Sequence, residues 1–273
     1  MPGPARVSGP ISGAVTSADG TVLAFDSCGA GPAVVLVNGA FGDRAHPALA
    51  GVAAALSPWF TVVNYDRRGR GGSGDTLPYA VEREVEDLAA VIGAAGGTAM
   101  VFGGSSGAAL ALEAAASGLG ITRLAVWEPP YHVDDSAPPL PDDFAERLAA
   151  LVDAGEWEEA VERFMVAAAQ VPVEAVAAMR ADPSWPYLKG VARTLAYEAA
   201  VLGPGNRLPG ARLAAITRPV LVLSGERSPG WMAAAALAVA AAVPGARHRV
   251  LEEQAHAVTA EALVPELLEF FAR

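Results

Sequence analysis

Five short, continuous apolar runs constrain this chain more than any other feature: Ala33–Val37, Phe60–Tyr65, Ala99–Phe102, Thr122–Trp127 and Pro219–Leu223. They are rich in β-branched residues and lack the polar/apolar alternation of a strand with one wet face, so they belong to a parallel sheet covered on both sides. Between and after them lie segments of helical periodicity, 47–56, 79–95, 106–117, 232–242 and 258–272, with charged residues on one side of an Ala/Leu/Val stripe. This alternation predicts an α/β protein built on a mostly parallel, doubly wound sheet. Short strands near 14–17 and 21–27 flank Asp19-Gly20, a dipeptide suited to the positive φ angles of a tight turn, which predicts an antiparallel N-terminal hairpin. After Pro129-Pro130 the alternation stops, and it returns only at Pro219. The interval carries helical patterns at 143–153, 156–169, 173–180 and 187–202 but no convincing strand. It reads as a helical cap, 129–215, inserted over a core formed by 14–128 and 216–273. Residues 1–13, rich in Pro, Gly and Ser and without an apolar stretch, read as a disordered lead-in rather than a signal peptide or membrane span.

Composition narrows the function classes. With 273 residues, 52% of them hydrophobic and only 18% charged, the chain supports one compact domain with an insertion. A net charge of −11 without any Lys/Arg cluster opposes a phosphate backbone, so no nucleic-acid partner is expected. Cys28 is the single cysteine and cannot form an internal disulfide; together with the absence of a leader this predicts a cytoplasmic protein. No membrane association is expected either, because apolar stretches such as 233–243 are broken by Pro244-Gly245 before they reach spanning length. There is no His-x-x-x-His or Cys-x-x-Cys spacing. The glycine-rich loop 69–74 lacks the lysine of a P-loop and does not follow the dinucleotide fingerprint, so neither a metal nor a cofactor is implied.

The chemistry points to Val101-Phe102-Gly103-Gly104-Ser105-Ser106-Gly107, where an apolar strand runs through a Gly-x-Ser-x-Gly turn directly into an Ala-rich helix. Such a turn lifts the Ser105 hydroxyl above the sheet edge, with Gly103 and Gly107 leaving room where side chains would collide. The free N–H groups and positive dipole end of the following helix favour negative charge beside Ser105, the candidate nucleophile.

Three further landmarks stand in order around this turn: Val37-Asn38-Gly39-Ala40, the run Tyr65-Asp66-Arg67-Arg68-Gly69-Arg70-Gly71-Gly72-Ser73-Gly74, and Gln254-Ala255-His256-Ala257. With them the chain resembles the α/β-hydrolase family from the hairpin to the last helix. His256 follows the apolar strand 247–251 in a loop at a strand's C-terminal end, where sites of open α/β sheets gather, and is the candidate general base. The resemblance implies that the backbone N–H groups of Ala40 and Ser106 form an oxyanion hole. It also marks a departure. Leu221 to Pro229 resembles the strand and turn that usually supply the acid as Asp, yet the expected position holds Ser228. Glu128, directly after the strand 122–127, is the candidate substitute, some family members taking their acid from that strand. Glu226 is its rival, and Asp134 and Asp135 are weaker ones.

Substrate choice is expected to come from the cap and mouth. Phe41, Trp185, Tyr187 and Trp231 are the candidate pocket residues, with Met232 beside the last. The leading expectation is a cofactor-independent serine hydrolase cleaving an ester, lactone or thioester of an apolar small molecule through an acyl-enzyme. A non-hydrolytic lyase or cyclase on the same fold, kept open by Ser228, and a non-catalytic binder of hydrophobic ligands are the alternatives.

Overall fold

The computed structural model of the protein describes residues 10–273. One eight-stranded sheet runs in the order β1-β2-β4-β3-β5-β6-β7-β8. β1 (Ile11–Thr16) and β2 (Val22–Cys28) form the antiparallel hairpin, and β2 also pairs antiparallel with β4 (Thr61–Tyr65). All other pairings are parallel: β3 (Ala33–Val37), β4, β5 (Ala99–Gly104), β6 (Ile121–Trp127), β7 (Val220–Gly225) and β8 (Arg247–Leu251).

The continuous apolar runs have a direct cause. Successive strand side chains point to opposite faces, and here both faces are dry. Val35, Val37, Val101, Leu124, Val126 and Val222 pack against α2 (Val81–Ala94), α3 (Ser106–Ala116) and α10 (Gly230–Ala242). Their neighbours Val34, Leu36, Met100, Phe102, Ala125 and Leu223 pack on the other face against α1 (Pro47–Leu56) and α11 (Ala260–Phe271).

Between β6 and β7 the described chain is helical. It comprises α4 (Phe144–Asp153), α5 (Trp157–Arg163) continuing into a π-turn at Phe164–Ala168, α6 (Val173–Met179), α7 (Trp185–Gly190), α8 (Leu195–Leu202) and the short α9 (Gly210–Leu213). A separate apolar cluster that includes Phe144, Leu148, Phe164, Trp185 and Leu195 holds this insertion together. The stretch expected as one helix over 187–202 is broken at Ala192–Thr194 by a tighter turn between α7 and α8.

The N-terminal boundary also differs from expectation. Ile11, Ser12 and Gly13, assigned above to the lead-in, belong to β1 and pair with Ser27, Asp26 and Phe25. Gly13 allows this because a Cβ there would lie 2.7 Å from the Phe25 ring. Residues 1–9 of the lead-in lie outside the described residues. Among the described residues no helix is long and apolar enough to cross a membrane.

Candidate active site

Ser105 sits between β5 and α3 with φ 56° and ψ −128°, a backbone conformation that non-glycine residues rarely adopt. Close packing enforces it. A Cβ on Gly103 would come within 2.5 Å of Gly107 O, and one on Gly107 within 2.4 Å of Val37 O, so only glycine fits at either position. The Ser105 N–H donates to Trp127 O (2.8 Å), tying the turn to β6. Its hydroxyl makes no helix-capping bond and is left for His256.

His256 Nε2 lies 3.2 Å from Ser105 Oγ, and His256 Nδ1 lies 2.7 Å from Glu128 Oε2. A carboxylate only accepts, so the Nδ1 proton faces Glu128 and Nε2 is free to accept the serine proton. The His256 carbonyl accepts from Trp127 Nε1 (2.9 Å), which fixes the loop after β8 against the end of β6. Glu128 is fully buried. Its second oxygen takes the Gly225 N–H (2.8 Å), and its own N–H donates to Leu223 O (3.0 Å). A buried carboxylate left unpaired would be costly, and here both oxygens are satisfied. Glu128 also has positive φ, 42°, so two of these three residues sit in strained backbone.

The rival acids lie elsewhere. Glu226 Oε2 accepts the Glu253 N–H (3.0 Å), Asp134 closes a local turn with Ser136, and Ser228 N–H donates to Gly225 O (3.2 Å) within the turn after β7. His46 caps α1, with Nδ1 accepting from Ala48, while His132 stacks edge-on against Trp231 and His248 bonds Ser224.

Ser105 and His256 open onto a cavity of about 360 Å³. Ala40 and Ser106 line it, as do Leu49, Val52, Phe102, Trp127, Phe164, Leu202, Met232, Val258 and Leu263. Among the described residues lining it there is no Asp, Glu, Lys or Arg. Phe41 is on the wall, edge-on to Phe164 at 5.6 Å between ring centroids.

The other three expected pocket residues are not. Trp185 is buried in the insertion's own core. Tyr187 is 40% exposed, with its hydroxyl 2.9 Å from Phe41 O and 3.0 Å from Asp43 Oδ2. Trp231 packs with Ala137 and His132; one position along α10 is about a 100° rotation, so Met232 and not Trp231 reaches the cavity.

A second cluster escaped the sequence reading. Arg67, Arg68 and Arg70, noted above only as part of a landmark, are buried. Arg67 makes a bidentate pair with Glu84 (2.7 Å twice) and reaches Glu198 Oε2 at 2.8 Å, while Arg68 pairs with Asp87 (2.7 Å twice) and Asp19 (2.9 Å). Burial works against the Arg67 charge, but Glu84 more than reverses this, and Arg67 holds its proton more tightly than a free guanidinium. Burial likewise opposes ionisation of Glu84, yet Arg67 keeps it below the usual carboxylate range. One signal was available: Glu84 and Asp87 fall on the same stripe of α2 as Val85, Leu88 and Val91. Charges on a core-facing stripe call for buried partners.

Among the described residues no group of three His, Cys, Asp or Glu side chains converges to hold a metal ion.

The wider comparisons agree with this architecture. The model of the alpha/beta hydrolase family matches residues 34–262. An alpha/beta hydrolase from Sphaerobacter thermophilus DSM 20745 is 54% identical, superposes with a TM-score of 0.88, and is matched over 95% of this chain and 100% of that one. The enol-lactonase from Burkholderia xenovorans LB400, 23% identical with a TM-score of 0.70 over 96% of this chain and 100% of that one, shares the fold. Among curated proteins, the uncharacterized hydrolase YraK of Bacillus subtilis (strain 168) is 34% identical over 109 residues, 38% of this chain, and the chain spans 39% of that protein's length. With the family model covering most of its length, the chain belongs to the alpha/beta hydrolase family.

Proposed function

We propose that this hydrolase is a cofactor-independent serine esterase acting on uncharged, apolar small molecules, with an ester, lactone or thioester as the scissile group. The observation that carries the reading is the unbroken chain Ser105 Oγ, His256, Glu128 at the mouth of an apolar cavity.

In the proposed reaction Ser105 Oγ attacks the carbonyl carbon while His256 Nε2 takes its proton. Glu128 stabilises the resulting imidazolium, as the missing Asp at position 228 otherwise would. Negative charge on the carbonyl oxygen is met by the Ala40 and Ser106 N–H groups, the second at the first turn of α3, where the helix dipole adds to the effect. Nε2 returns the proton to the leaving oxygen or sulfur as its bond to carbon breaks, giving an acyl-enzyme. Water then attacks, its proton passing to Nε2 and on to Ser105 Oγ as the acid departs.

The lining supports the substrate class. A carboxylate brought into this cavity would lose its hydration and find no lysine or arginine to replace it. Glu128 also weakens the lyase or cyclase alternative, whose support was the absence of an acid. The test is stopped-flow hydrolysis of paired p-nitrophenyl esters, butyrate against hemisuccinate. The reading expects a burst of one nitrophenol per protein with butyrate, and kcat/KM at least about a hundredfold lower for the hemisuccinate. Equal rates for the two esters would contradict the substrate class, and absence of any turnover would favour the alternative.

A further inference from the structure

The segment 38–42, which carries the Ala40 N–H, is gripped by its carbonyl oxygens. Arg67 Nη1 donates to Asn38 O (3.2 Å) and Arg70 Nη1 to Gly39 O (2.6 Å) and Gly42 O (3.1 Å), while the single Tyr187 hydroxyl proton is shared between Phe41 O (2.9 Å) and Asp43 Oδ2 (3.0 Å). The helical insertion contributes to this grip directly and through the two arginines. Tyr187 lies on α7; Glu198 on α8 bonds Arg67 Nη1 (2.8 and 3.0 Å) and pairs with Arg70 Nη2; and Thr194 Oγ1 accepts from Arg70 Nε (3.1 Å).

We propose that Arg70, anchored by Glu198, and Tyr187 are positioning residues for the oxyanion site, so that the insertion's docking sets the direction of the Ala40 N–H. This rests on the esterase reading above. In a planar trans peptide the N–H points opposite the C=O. Drawing Gly39 O onto Arg70 therefore turns the Ala40 N–H to the other side, toward the cavity. Ser105 is close to this segment: a Cβ on Gly39 would be 3.1 Å from Ser105 Cβ. The segment needs holding, because Phe41 has φ 60°, a left-handed conformation that a large side chain disfavours. With Arg70 and Glu198 buried, water cannot take over the released carbonyls without opening the core. Glu198 also balances the Arg70 charge, and Arg70 does not line the cavity, so it acts on the reaction through Gly39 and Gly42 and not as a direct ligand of the oxyanion. Burial and the nearby Asp43 carboxylate raise the Tyr187 phenol above its ordinary range, which keeps it a donor.

The test compares wild type with Arg70→Lys, Glu198→Gln and Tyr187→Phe. Active sites are counted by end-point fluorophosphonate titration, then kcat and KM are measured with p-nitrophenyl butyrate, and Ki with an alkyl trifluoromethyl ketone, whose adduct on Ser105 places an oxyanion in the hole. Per titrated site, kcat is expected to fall about a hundredfold in Arg70→Lys and Glu198→Gln, the scale of losing one oxyanion donor. Tyr187→Phe is expected to lose about three- to tenfold, the scale of one hydrogen bond. KM should stay within about twofold, while Ki rises in step with the loss in kcat, a correlation that a merely structural role would not produce. Tyr187→Phe keeps a partly exposed ring in place, so it carries the test if a buried variant fails to fold. Wild-type kcat and Ki per site in the folded variants would overturn the positioning role alone. A wild type that neither labels nor turns over would overturn the esterase reading and this inference with it.

Discussion

Two groups of side chains flank the Asn38–Gly42 segment and use charge in opposite ways. On the cavity side, Ser105, His256 and Glu128 come from the ends of three strands, include one buried carboxylate, and reach solvent through His256, whose side chain is 39% exposed. On the far side, Arg67, Arg70, Glu84 and Glu198 are all buried and pair with one another, leaving no charge facing the cavity. Both groups are titratable, strongly hydrogen-bonded and adjacent to the same backbone. What separates them is access: the cavity touches the first group and not the second. A buried ionisable group is therefore a candidate for chemistry only where space for a substrate reaches it or the group it bonds.

If the division is right, substitutions on the two sides fail in different ways. Ser105→Ala is expected to lower kcat by about 10⁴-fold or more while changing the stability read from urea unfolding by no more than about 0.5 kcal/mol. Glu128→Gln is expected to cost about 10⁴-fold in kcat, since the amide no longer stabilises an imidazolium and can impose the wrong His256 tautomer. Glu84→Gln should do the reverse. It leaves the Arg67 charge undercompensated in the core, and urea unfolding should show a loss of about 3–5 kcal/mol, with kcat per folded molecule reduced far less than in Glu128→Gln. A Glu84→Gln protein with full stability and little activity would dissolve the distinction.

Two further substitutions sharpen it. Trp231→Ala should cost about 3–5 kcal/mol of stability as a buried large-to-small change and leave KM for butyrate esters unaltered. Met232→Ala, one residue on, should enlarge the cavity and shift preference toward longer acyl chains, read as kcat/KM across a chain-length series. The smallest expected effect concerns pH. Because Arg67 holds the Glu84 carboxyl below its ordinary value of 4.5, that contribution to stability is complete above the unfolded value and disappears as pH falls through the folded one. Denaturant midpoints measured downward from pH 6 should fall less steeply for Glu84→Gln than for wild type.

Much of this organisation was legible in the sequence because its causes are local. Runs such as Val34–Val37 are apolar at every position since both sheet faces are buried, and Gly103 and Gly107 are glycine because neighbouring carbonyls fill the space of a Cβ. Glu128 could be named because it directly follows the strand from which some members of the family take their acid. What stayed hidden depends on distant pairing. Ile11 is 70% exposed and carries no burial signal; its strand exists because it pairs with Ser27. Trp185 was a candidate pocket residue, but helical register turns it into the insertion's own core and gives the cavity wall to Phe164. Arg67 and Arg70 stood in the sequence only as part of a landmark, and their burial is understood only with Glu198, 131 residues from Arg67 in sequence.

The most direct test of the central claim is intact-mass spectrometry after incubation with a fluorophosphonate, run in parallel on wild type, Ser105→Ala and Glu128→Gln. The account predicts a single adduct on wild type, none on Ser105→Ala, and formation slowed by orders of magnitude on Glu128→Gln. Folded wild type that gains no mass, or Ser105→Ala that labels as wild type does, would contradict it.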